Sequence, residues 1–251
     1  MKERPKDFDL SVIVTAHDET VVSGPTMQAA EAAIQRAESE GFEIERLIVL
    51  DAATEDCLSF FNQPAFDAWT KLEMRKKDLG KVRNEVVHLA KGKNIAYLDA
   101  DDLFSENWLA EGLKHLGHAA LSGERIIVHP ELNWLFDGGN SVFAKPDQTD
   151  DIFIPHFFYF SNYYDSLCMA PRQAHLEIPY VHRDIPNGLS FQDWQFSIET
   201  MAEGWRHVVA RDTIIFKRRR DISLVTESTN RKAIVRQLEA MSIDQVGKLG
   251  R

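Results

Sequence analysis

The stretch Asn94-Ile95-Ala96-Tyr97-Leu98-Asp99-Ala100-Asp101-Asp102 places a short apolar run directly before three carboxylates. Such a run predicts a buried strand that delivers acidic side chains to the edge of a sheet. Asp99 and Asp101 then lie one pleat apart, where their hard oxygen atoms can hold Mg²⁺ or Mn²⁺. The alternative is ordinary turn chemistry, in which Asp102 or Ser105 caps the following helix and no metal is involved.

Two earlier apolar runs also end in polar side chains. Leu10–Thr15 is followed by Ala16–Glu19, and Glu45–Leu50 is followed by Asp51. Between these two predicted strands, apolar residues recur at helical spacing from Pro25 to Gly41, which predicts a helix with a proline near its start and a glycine at its end. Three predicted strands therefore end in side chains capable of chemistry.

The region between the second strand and the acidic strand is predicted to hold two helices. One is expected near Phe60 to Leu72 and the other from about Lys81 to Lys91, with a charged loop around Arg75 to Asp78 and a break at Gly92. The order β-α-β-α-α-β predicts parallel strands with right-handed crossovers. Ligands of such sheets bind beyond the carboxyl ends of the strands.

The composition limits the kind of protein this can be. The chain has 251 residues, of which 44% are apolar, so it can bury one sizeable core, and we expect a single domain. The formal net charge of −10 argues against nucleic acid as a partner. Cys57 and Cys168 are too few for a disulfide framework, which indicates a reducing compartment. Without an apolar run of ~20 residues or a signal-peptide core, the chain is expected to be cytoplasmic.

Two common nucleotide-binding motifs are missing from the sequence. Neither a Gly-x-Gly-x-x-Gly turn nor a Gly-rich loop ending in Lys-Ser/Thr follows the first strand. A nucleotide bound beyond these strands would therefore need a metal for its phosphates.

The chain resembles the family 2 glycosyltransferases with the GT-A fold over about residues 9 to 225. The resemblance rests on five motifs in the family's order: Ser11–Glu19, Val49–Asp56, Gly80-Lys81-Val82-Arg83-Asn84 with Ile95–Asp102, Phe191-Gln192-Asp193-Trp194-Gln195-Phe196, and Gly204-Trp205 through Phe216-Lys217-Arg218-Arg219-Arg220. It implies an α/β GT-A-type, Rossmann-like sandwich with a mostly parallel central sheet, helices on both faces and a small acceptor-side subregion. Within one domain, it implies a nucleotide-sugar half at 9–122, an acceptor and catalytic half at 123–225 and a C-terminal helix at 226–251.

The resemblance also implies inverting transfer from a nucleoside diphosphate sugar. A Mn²⁺ or Mg²⁺ ion held by Asp101, with Asp99 beside it or on the ribose, would neutralise the diphosphate as it leaves. Asp193 would be the general base that takes the proton of the acceptor hydroxyl. The interpretation without function makes Asp193 only a helix-start carboxylate, and Gln192 stands where the family commonly has Glu.

The nucleotide itself is expected to contact the ends of the first two strands. Thr15, His17 and Glu19 lie in the loop that resembles the family's base-binding loop, and Asp51 is placed to accept a hydrogen bond from a base N–H. The alternative is that His17 is a solvated loop residue with no role in nucleotide binding. Arg83 either faces the nucleotide or pairs with a carboxylate on its own helix.

A basic run follows the last predicted strand. Lys217 to Arg220 is open to three interpretations: a clamp on the diphosphate with Arg219 among its donors, a solvated strand end, or a lipid-facing patch. The last of these is compatible with peripheral contact at the inner face of a membrane.

The middle and the end of the chain carry the remaining expectations. His129–Leu135 and Ser141–Ala144 flank a turn and predict a hairpin. The aromatic residues between Phe153 and Tyr164 either stack on sugar, lie next to lipid or pack in a core, with packing favoured. A last helix after Ser228 is expected to dock on the core, pair with another subunit or lead into a further domain.

Taken together, these features predict a transferase that uses a UDP-sugar and a hydroxyl of a glycan or glycolipid, in synthesis of a bacterial surface polysaccharide. A silent nucleotide- or glycan-binding domain is disfavoured because both Asp101 and Asp193 are present. A metal-dependent phosphohydrolase is disfavoured because the first strand lacks its Asp-x-Asp, and a nucleotidyltransferase because the first loop is acidic rather than basic.

Overall fold

Strands and helices alternate along most of the chain. The computed structural model describes residues 7–219 and 224–250. The elements in chain order are β1 (Phe8–Ala16), α1 (Ser23–Ser39), β2 (Ile44–Asp51), α2 (Glu55–Phe61), β3 (Thr70–Met74), α3 (Leu79–Leu89), β4 (Gly92–Asp99), β5 (Leu103–Phe104), α4 (Trp108–Ser122), β6 (Ile126–Phe136), β7 (Ser141–Ala144), β8 (Met169–Pro171), α5 (Arg172–Glu177), α6 (Gln192–Ala202), β9 (Arg206–Arg218) and α7 (Leu224–Asn230).

The strands form one mixed, mostly parallel sheet in the order β3-β2-β1-β4-β8-β6-β9-β5, and β7 extends β6 as a hairpin. The neighbours β3, β2, β1 and β4 run parallel, as do β6 and β9. Since β8 is antiparallel to both β4 and β6, strands β4 and β6 point in the same direction. The carboxyl ends of β1, β2, β4, β6 and β9 therefore lie at one edge of the sheet.

The helices cover both faces of this sheet. Right-handed crossovers place α1, between β1 and β2, and α3, between β3 and β4, on opposite faces because the strand order reverses direction between them. In agreement, α1 packs on α4, whereas α3 packs on α5. Among the described residues, no helix combines the length and the hydropathy needed to cross a membrane.

The α/β sandwich expected from the sequence, with a mostly parallel sheet and helices on both faces, is confirmed in these elements. The three predicted strands of the first half are β1, β2 and β4, and their buried positions carry the apolar side chains of the main core. The helix predicted from Pro25 to Gly41 is α1, and Gly41 follows it with a φ of 94°, in the left-handed region that favours glycine. The predicted hairpin is formed by β6 and β7.

The helix predicted near Phe60 to Leu72 is wrong. The structure has the shorter helix α2, whose start is capped by Thr54, since the hydroxyl of that residue accepts a hydrogen bond from Cys57 N at 3.3 Å. Pro64 opens a 3₁₀ turn, and the next residues form the edge strand β3 beside β2. Pairing with β2 outweighs the local apolar spacing, which does not distinguish a short helix from an edge strand.

The predicted C-terminal helix is also wrong. Helix α7 ends at Asn230, Lys232 has a φ of 53°, and only two 3₁₀ turns, Glu239–Met241 and Val246–Lys248, occur before residue 250. Backbone hydrogen bonds between Ile234 and residues 188 and 190 hold this segment extended. One expectation from the sequence was a subunit contact through a helix in this segment, and the structure does not support that expectation.

A second, smaller core lies beneath this C-terminal segment. It buries Phe153, Phe158 and Tyr164 against Val246 and Leu249. The aromatic stretch is thus divided, because Tyr159 and Phe160 remain 44% and 82% exposed. Packing is the role of the buried members, as favoured from the sequence.

The start of α3 requires a residue without a side chain at Gly80. A Cβ atom added there would lie 2.2 Å from Gln192 Nε2 and 2.7 Å from the carbonyl oxygen of Val181. The Gln192 amide is fixed at this place because its Nε2 donates to Asp78 Oδ1 at 3.0 Å and to Val181 O at 2.5 Å. This contact joins α3 to the first turn of α6.

Gly80→Ala is expected to destabilise the protein by about 1–3 kcal/mol, since an added methyl group must displace this hydrogen-bonded amide. Gly24→Ala is the matched control, because Gly24 also lies at the second position of a helix and has no atom within 4 Å of the new methyl group. The free energy of unfolding of the control should rise by about 0.4–1 kcal/mol, because alanine reduces the conformational entropy of the unfolded chain. Urea unfolding followed by circular dichroism measures both, and equal effects of the two substitutions would contradict the steric argument.

Candidate functional site

The predicted acidic strand delivers Asp99 to the carboxyl edge of the sheet, next to Thr15. The two residues are paired in the register of β1 and β4, and the Thr15 hydroxyl donates to Asp99 Oδ1 at 3.1 Å. The backbone then turns tightly, because Ala100 N donates to Thr15 O at 3.0 Å and Asp102 N donates to Asp99 O at 3.0 Å. This turn places Asp99 and Asp101 at the same edge.

Arg83 reaches the same carboxylate from helix α3. Its Nη2 donates to Asp99 Oδ1 at 3.1 Å, and its side chain is only 3% exposed. The guanidinium lies 5.2 Å from the ring centre of Tyr97 and 5.6 Å from that of Tyr180. Burial alone would lower the pKa of Arg83, but Asp99, Tyr180, Tyr97 and Asp193 together outweigh it and raise the pKa. The carboxylate partner predicted for Arg83 therefore exists, but it lies on β4 rather than on α3.

Asp102 is held by strand β9 and does not cap a helix. It is 3% exposed, and it accepts hydrogen bonds from Lys217 Nζ and from the backbone N of Arg218, both at 2.8 Å. Helix α4 begins at Trp108 after Asn107, so the helix-cap interpretation of Asp102 is wrong. Ser105 instead bonds to Ile214 of β9 through its hydroxyl at 2.9 Å.

Lys217, in the basic run, lies next to an acidic cluster formed by Asp99 and Asp102. Its Nζ lies 2.8 Å from Asp102 Oδ2 and 4.0 Å from Asp99 Oδ2. Burial would lower the pKa of Lys217, but the charges of Asp102, Asp165 and Asp99 together raise it, so the side chain stays charged.

Arg218 and Arg219 lie differently, and Arg220 lies outside the described residues. Arg218 pairs with Asp137 of the β6–β7 turn at 2.6 Å, and Arg219 is exposed with its backbone N bound to Phe136 O at 2.8 Å. The sequence analysis selected Arg219 and missed Lys217. The alternation of β9 contains the missing information, since Lys217 shares a face of the strand with the buried Ile215.

Asp193 lies in the first turn of α6, as predicted. Its Oδ1 accepts a hydrogen bond from Trp194 N at 2.9 Å. Burial raises the pKa of Asp193, the charge of Asp165 raises it further, and the charges of Arg83 and Lys217 oppose this. Asp193 is therefore within electrostatic range of Asp165, Arg83 and Lys217, although more than one hundred residues separate it from Arg83 in sequence.

The backbone before Asp193 is strained. Phe191 has φ 62° and ψ 59°, a left-handed conformation that a residue with a Cβ rarely adopts. Gln192, at the family's Glu position, points away from the acidic cluster and bonds to Asp78 and Val181. Its role is therefore to anchor α6.

The predicted base-binding residues meet at the ends of β1 and β2. His17 Nδ1 lies 2.8 Å from the backbone oxygen of Asp51, and Glu19 Oε2 accepts a hydrogen bond from His17 N at 2.8 Å. The Asp51 carboxylate accepts hydrogen bonds from the backbone N of Lys76 at 2.6 Å and of Lys77 at 2.8 Å. Asp51 thus orders the loop after β3 as well as facing this edge.

A cleft of about 320 Å³ adjoins this loop at the carboxyl ends of β2 and β3. It is lined by Leu50, Ala52, Ala53, Leu58, Glu73, Met74 and Arg75. Ala52 has a φ of 48°, so the chain makes the turn after Asp51 without the glycine that the family commonly has there.

A set of charged and polar residues between 123 and 225 was missed by the sequence analysis. Asp165 accepts a hydrogen bond from Asn133 Nδ2 and lies 3.5 Å from Lys145 Nζ. These residues come from β6, the end of β7 and the loop before β8, in the region where no motif was recognised. Only their tertiary contacts reveal the set, since no spacing in the sequence connects them.

The turn after β4 offers oxygen atoms of the type that a divalent metal prefers. Asp101 would supply a carboxylate ligand there, and Asp99 Oδ1 accepts hydrogen bonds from Thr15 and Arg83. Mg²⁺ and Mn²⁺ are commonly held by one or two carboxylates together with phosphate oxygens, so one carboxylate suffices. Within residues 7–219 and 224–250, no group of three or more His, Cys, Asp or Glu side chains is placed to hold a metal ion.

The family model described as "Glycosyl transferase family 2" matches residues 11–159, more than half of the chain. The chain belongs to glycosyl transferase family 2. The resemblance inferred from the five sequence motifs is thereby confirmed for the family, and the match includes both the β1 loop and the acidic turn after β4. A sequence search among curated proteins gives no match for this family 2 chain.

Solved glycosyltransferase structures share the fold of this family 2 chain. Residues 1–349 of TarS from S. aureus, in complex with UDP-GlcNAc, align with a TM-score of 0.56 and 16% identity over 86% of this chain and 60% of that chain. The mannosyltransferase PcManGT from Pyrobaculum calidifontis, in complex with GDP-Man and Mn²⁺, gives a TM-score of 0.57 and 15% identity, with the same two coverages. GalNAc-T7 with UDP, GalNAc and Mn²⁺ gives 0.58 and 16%, covering 86% of this chain and 45% of that one.

The likeness to these proteins establishes the GT-A fold. The chain spans about 60% of the length of the first TarS and PcManGT chains that it matches. Activity and substrates are therefore argued from the residues of this chain.

Lys217→Met is expected to destabilise the protein, because it leaves the buried Asp102 carboxylate without its cation. Lys217→Met with Asp102→Asn should recover much of the loss, giving a coupling energy on the order of 2 kcal/mol in a double-mutant cycle. The cycle is measured by urea unfolding of the four proteins. Additive effects of the two substitutions would show that the contact contributes nothing beyond the separate side chains.

Proposed function

We propose that this protein transfers a sugar from a nucleoside diphosphate sugar to an acceptor hydroxyl with inversion of configuration. The observation that supports this most is that Asp99, at the carboxyl end of β4, contacts Thr15, Arg83 and Lys217. The charges of the two cations, Arg83 and Lys217, also act on Asp193 in the first turn of α6. Family membership supports the same class of reaction.

The diphosphate of the donor is proposed to lie over the turn after β4. Asp101 would hold Mn²⁺ or Mg²⁺, which supplies positive charge to the leaving diphosphate. Asp99, fixed by Thr15 and Arg83, is proposed to contact the ribose. Lys217 lies at the same edge, already in position. Its positive charge would therefore stabilise the negative charge that develops on the leaving diphosphate.

Asp193 is proposed as the general base. It takes the proton of the acceptor hydroxyl while that oxygen forms its bond to the anomeric carbon of the sugar. The bond between this carbon and the diphosphate oxygen breaks in the same displacement, and the nucleoside diphosphate leaves with the electron pair. The raised pKa of Asp193 suits this role, because a base works best when its pKa approaches the working pH.

The nucleoside is proposed to occupy the edge formed by Thr15, His17, Glu19 and Asp51. His17 is exposed there and can stack on a base, and the Asp51 carboxylate can accept a base N–H. UDP is the favoured nucleotide, since TarS and GalNAc-T7 were both solved with uridine nucleotides, although PcManGT was solved with GDP-Man. Arg219 remains a proposed phosphate contact from the exposed end of β9.

The acceptor is proposed to be a hydroxyl of a glycan or glycolipid, in the synthesis of a bacterial surface polysaccharide. Residues 9–122 would form the donor half and residues 123–225 the acceptor half of one domain. The exposed Tyr159 and Phe160 lie in the acceptor half and offer apolar area for a lipid-linked acceptor at the inner face of a membrane. This part of the proposal rests on family membership and on that exposure.

Donor binding is expected to require both Asp101 and a metal. Titration calorimetry with UDP, GDP, dTDP and CMP, each with Mn²⁺ and then with EDTA, should show metal-dependent binding of one diphosphate. Asp101→Asn should weaken that binding in Mn²⁺ toward the level found in EDTA, because it removes the carboxylate proposed to hold the ion.

The control for this substitution is Asp67→Asn, which removes an acid whose side chain is 76% exposed and takes no part in the cluster. It should bind the diphosphate as the wild type does. If wild-type protein binds none of the four nucleotides, the proposed function fails, whereas unchanged binding by Asp101→Asn refutes only the metal assignment.

Transfer is expected to depend on Asp193 in its ionised form. Asp193→Asn should lower kcat by roughly 10²–10⁴-fold, the usual contribution of a general base, and leave binding of the diphosphate nearly unchanged. Because the pKa of Asp193 is raised, kcat/KM of the wild type should increase with pH through a pKa above about 4, the value of an ordinary aspartate.

Glu203→Gln, at the other end of α6, is the matched control for the loss of one acid and should keep both the rate and the pH profile. The measurement is the rate of nucleoside diphosphate release with the accepted donor. Full activity of Asp193→Asn would make the base assignment wrong.

A further inference from the structure

The loop before β8 adds a carboxylate to the cluster that the proposed reaction leaves without a role. Asp165 accepts a hydrogen bond from Asn133 Nδ2 and another from Leu167 N, the latter at 2.9 Å. Its side chain is 15% exposed, so part of the carboxylate remains open. Asp165 is therefore fixed in orientation without being sealed in the core.

A buried lysine lies behind this carboxylate. The side chain of Lys145 is 0% exposed and its Nζ is 3.5 Å from Asp165 Oδ2. Within the part of the chain that the structure describes, Lys145 Nζ and Asn133 Oδ1 are buried without a hydrogen-bond partner. Burying an ammonium group with incomplete hydrogen bonding is costly, so the fold holds this pair at the expense of stability.

The position of Asp165 relates it to both ends of the proposed reaction. Its charge acts on Lys217, which contacts the acids at the proposed diphosphate end. The same charge acts on Asp193, the proposed base. Asn133, which donates to Asp165, pairs with Ile215 in the register of β6 and β9, two residues before Lys217. In an inverting displacement, the transferred sugar ring would lie between the leaving diphosphate and the base, next to this end of the two strands.

We propose that Asp165, held in place by Lys145 and Asn133, binds hydroxyl groups on the sugar ring of the donor. This inference rests on the proposed function and names the residue that recognises the transferred sugar. A carboxylate accepts two hydroxyl hydrogen bonds side by side, and such bonds to a charged acceptor are about twice as strong as neutral ones. The polar atoms of Lys145 and Asn133 support that acceptor from behind.

The charge of Asp165 also predicts which sugars fit. A fixed carboxylate beside the ring, with Asp193 nearby, attracts hydroxyl groups and repels a sugar that carries its own carboxylate. The site is therefore suited to a neutral, hydroxyl-rich ring and disfavours a uronic acid.

The two carboxylates differ in ionisation as these separate roles require. Burial would raise the pKa of Asp165, but the charges of Lys145 and Lys217 and its hydrogen bonds lower the pKa to about 2. The pKa of Asp193 is raised instead, by burial and by Asp165, against the charges of Arg83 and Lys217. Asp165 thus stays a pure hydrogen-bond acceptor while Asp193 exchanges a proton.

The test compares wild type with the double substitution Asp165→Asn and Lys145→Met. Removing both charges avoids leaving a buried, unpaired ammonium group, and methionine has a similar length to lysine. Affinity is measured for the diphosphate that the wild type binds and for its sugar conjugates, namely UDP, UDP-glucose and UDP-glucuronate, or GDP, GDP-mannose and GDP-mannuronate for a guanine site. Thermal unfolding confirms that each variant is folded.

The double variant should bind the free diphosphate as the wild type does but lose roughly tenfold in affinity for the neutral sugar conjugate, the size expected for charge-assisted hydrogen bonds. Its preference for the neutral sugar over the uronate should fall as well. Glu45→Gln is the control, because Glu45 is a buried carboxylate at the amino end of the sheet, bound to Ser11 and Lys91. It should leave all the affinity ratios unchanged.

Each other outcome decides against the inference in a distinguishable way. An unchanged ratio between sugar conjugate and free diphosphate in the double variant overturns the role of Asp165 and leaves the proposed function standing. An equal loss of affinity for the free diphosphate and for the sugar conjugate would show that Asp165 maintains the shape of the site and does not bind the sugar, which also overturns the inference. Absence of diphosphate binding by wild type overturns the proposed function and this inference with it.

Discussion

The buried guanidinium of Arg83 is the constraint on which the rest of the site depends. A charge that is 3% exposed is tolerated only when it is paired, and its partner is Asp99. The pair fixes α3 against the end of β4, and the rings of Tyr97 and Tyr180 enclose it within the core. The same charge also acts on Asp193, where it opposes the rise in pKa caused by burial and by Asp165, so one buried cation is shared between the core and the proposed site.

The sequence was sufficient to predict the parallel strands and their acidic exits, since apolar runs that end in polar residues depend on local pattern alone. Asp99, Asp193 and Arg83 were each identified, but the contact between Arg83 and Asp99 was not, because it joins a helix to a strand sixteen residues away. Lys217 is one of four consecutive basic residues. Strand alternation separates it from Arg218, and its contact with Asp102 appears only in the structure. Asp165 carries no local pattern, and tertiary contacts alone place it in the cluster.

The two mistaken helices have one physical origin. Between Phe60 and Leu72, and after Ser228, apolar residues recur at spacings that fit a helix. In both regions backbone pairing with another segment decides the outcome: β3 adds to β2, and Ile234 pairs with the loop before α6. Helical propensity contributes tenths of a kcal/mol per residue, which is less than the pairing and burial of an entire segment. Local periodicity is therefore least informative at sheet edges and in peripheral segments.

The balance of charge bears on how an acidic cluster would receive the anionic diphosphate of the proposed donor. The carboxylates of the cluster are largely committed to internal cations, through the pairs Arg83–Asp99, Lys217–Asp102 and Lys145–Asp165. Two further acids of the proposed site, Asp101 and Asp193, lie on separate elements, at the turn after β4 and in the first turn of α6. The pKa of Asp193 is raised by burial and by the charge of Asp165, whereas that of Asp165 is lowered, despite its burial, by the charges of Lys145 and Lys217, so these two acids differ in their affinity for a proton.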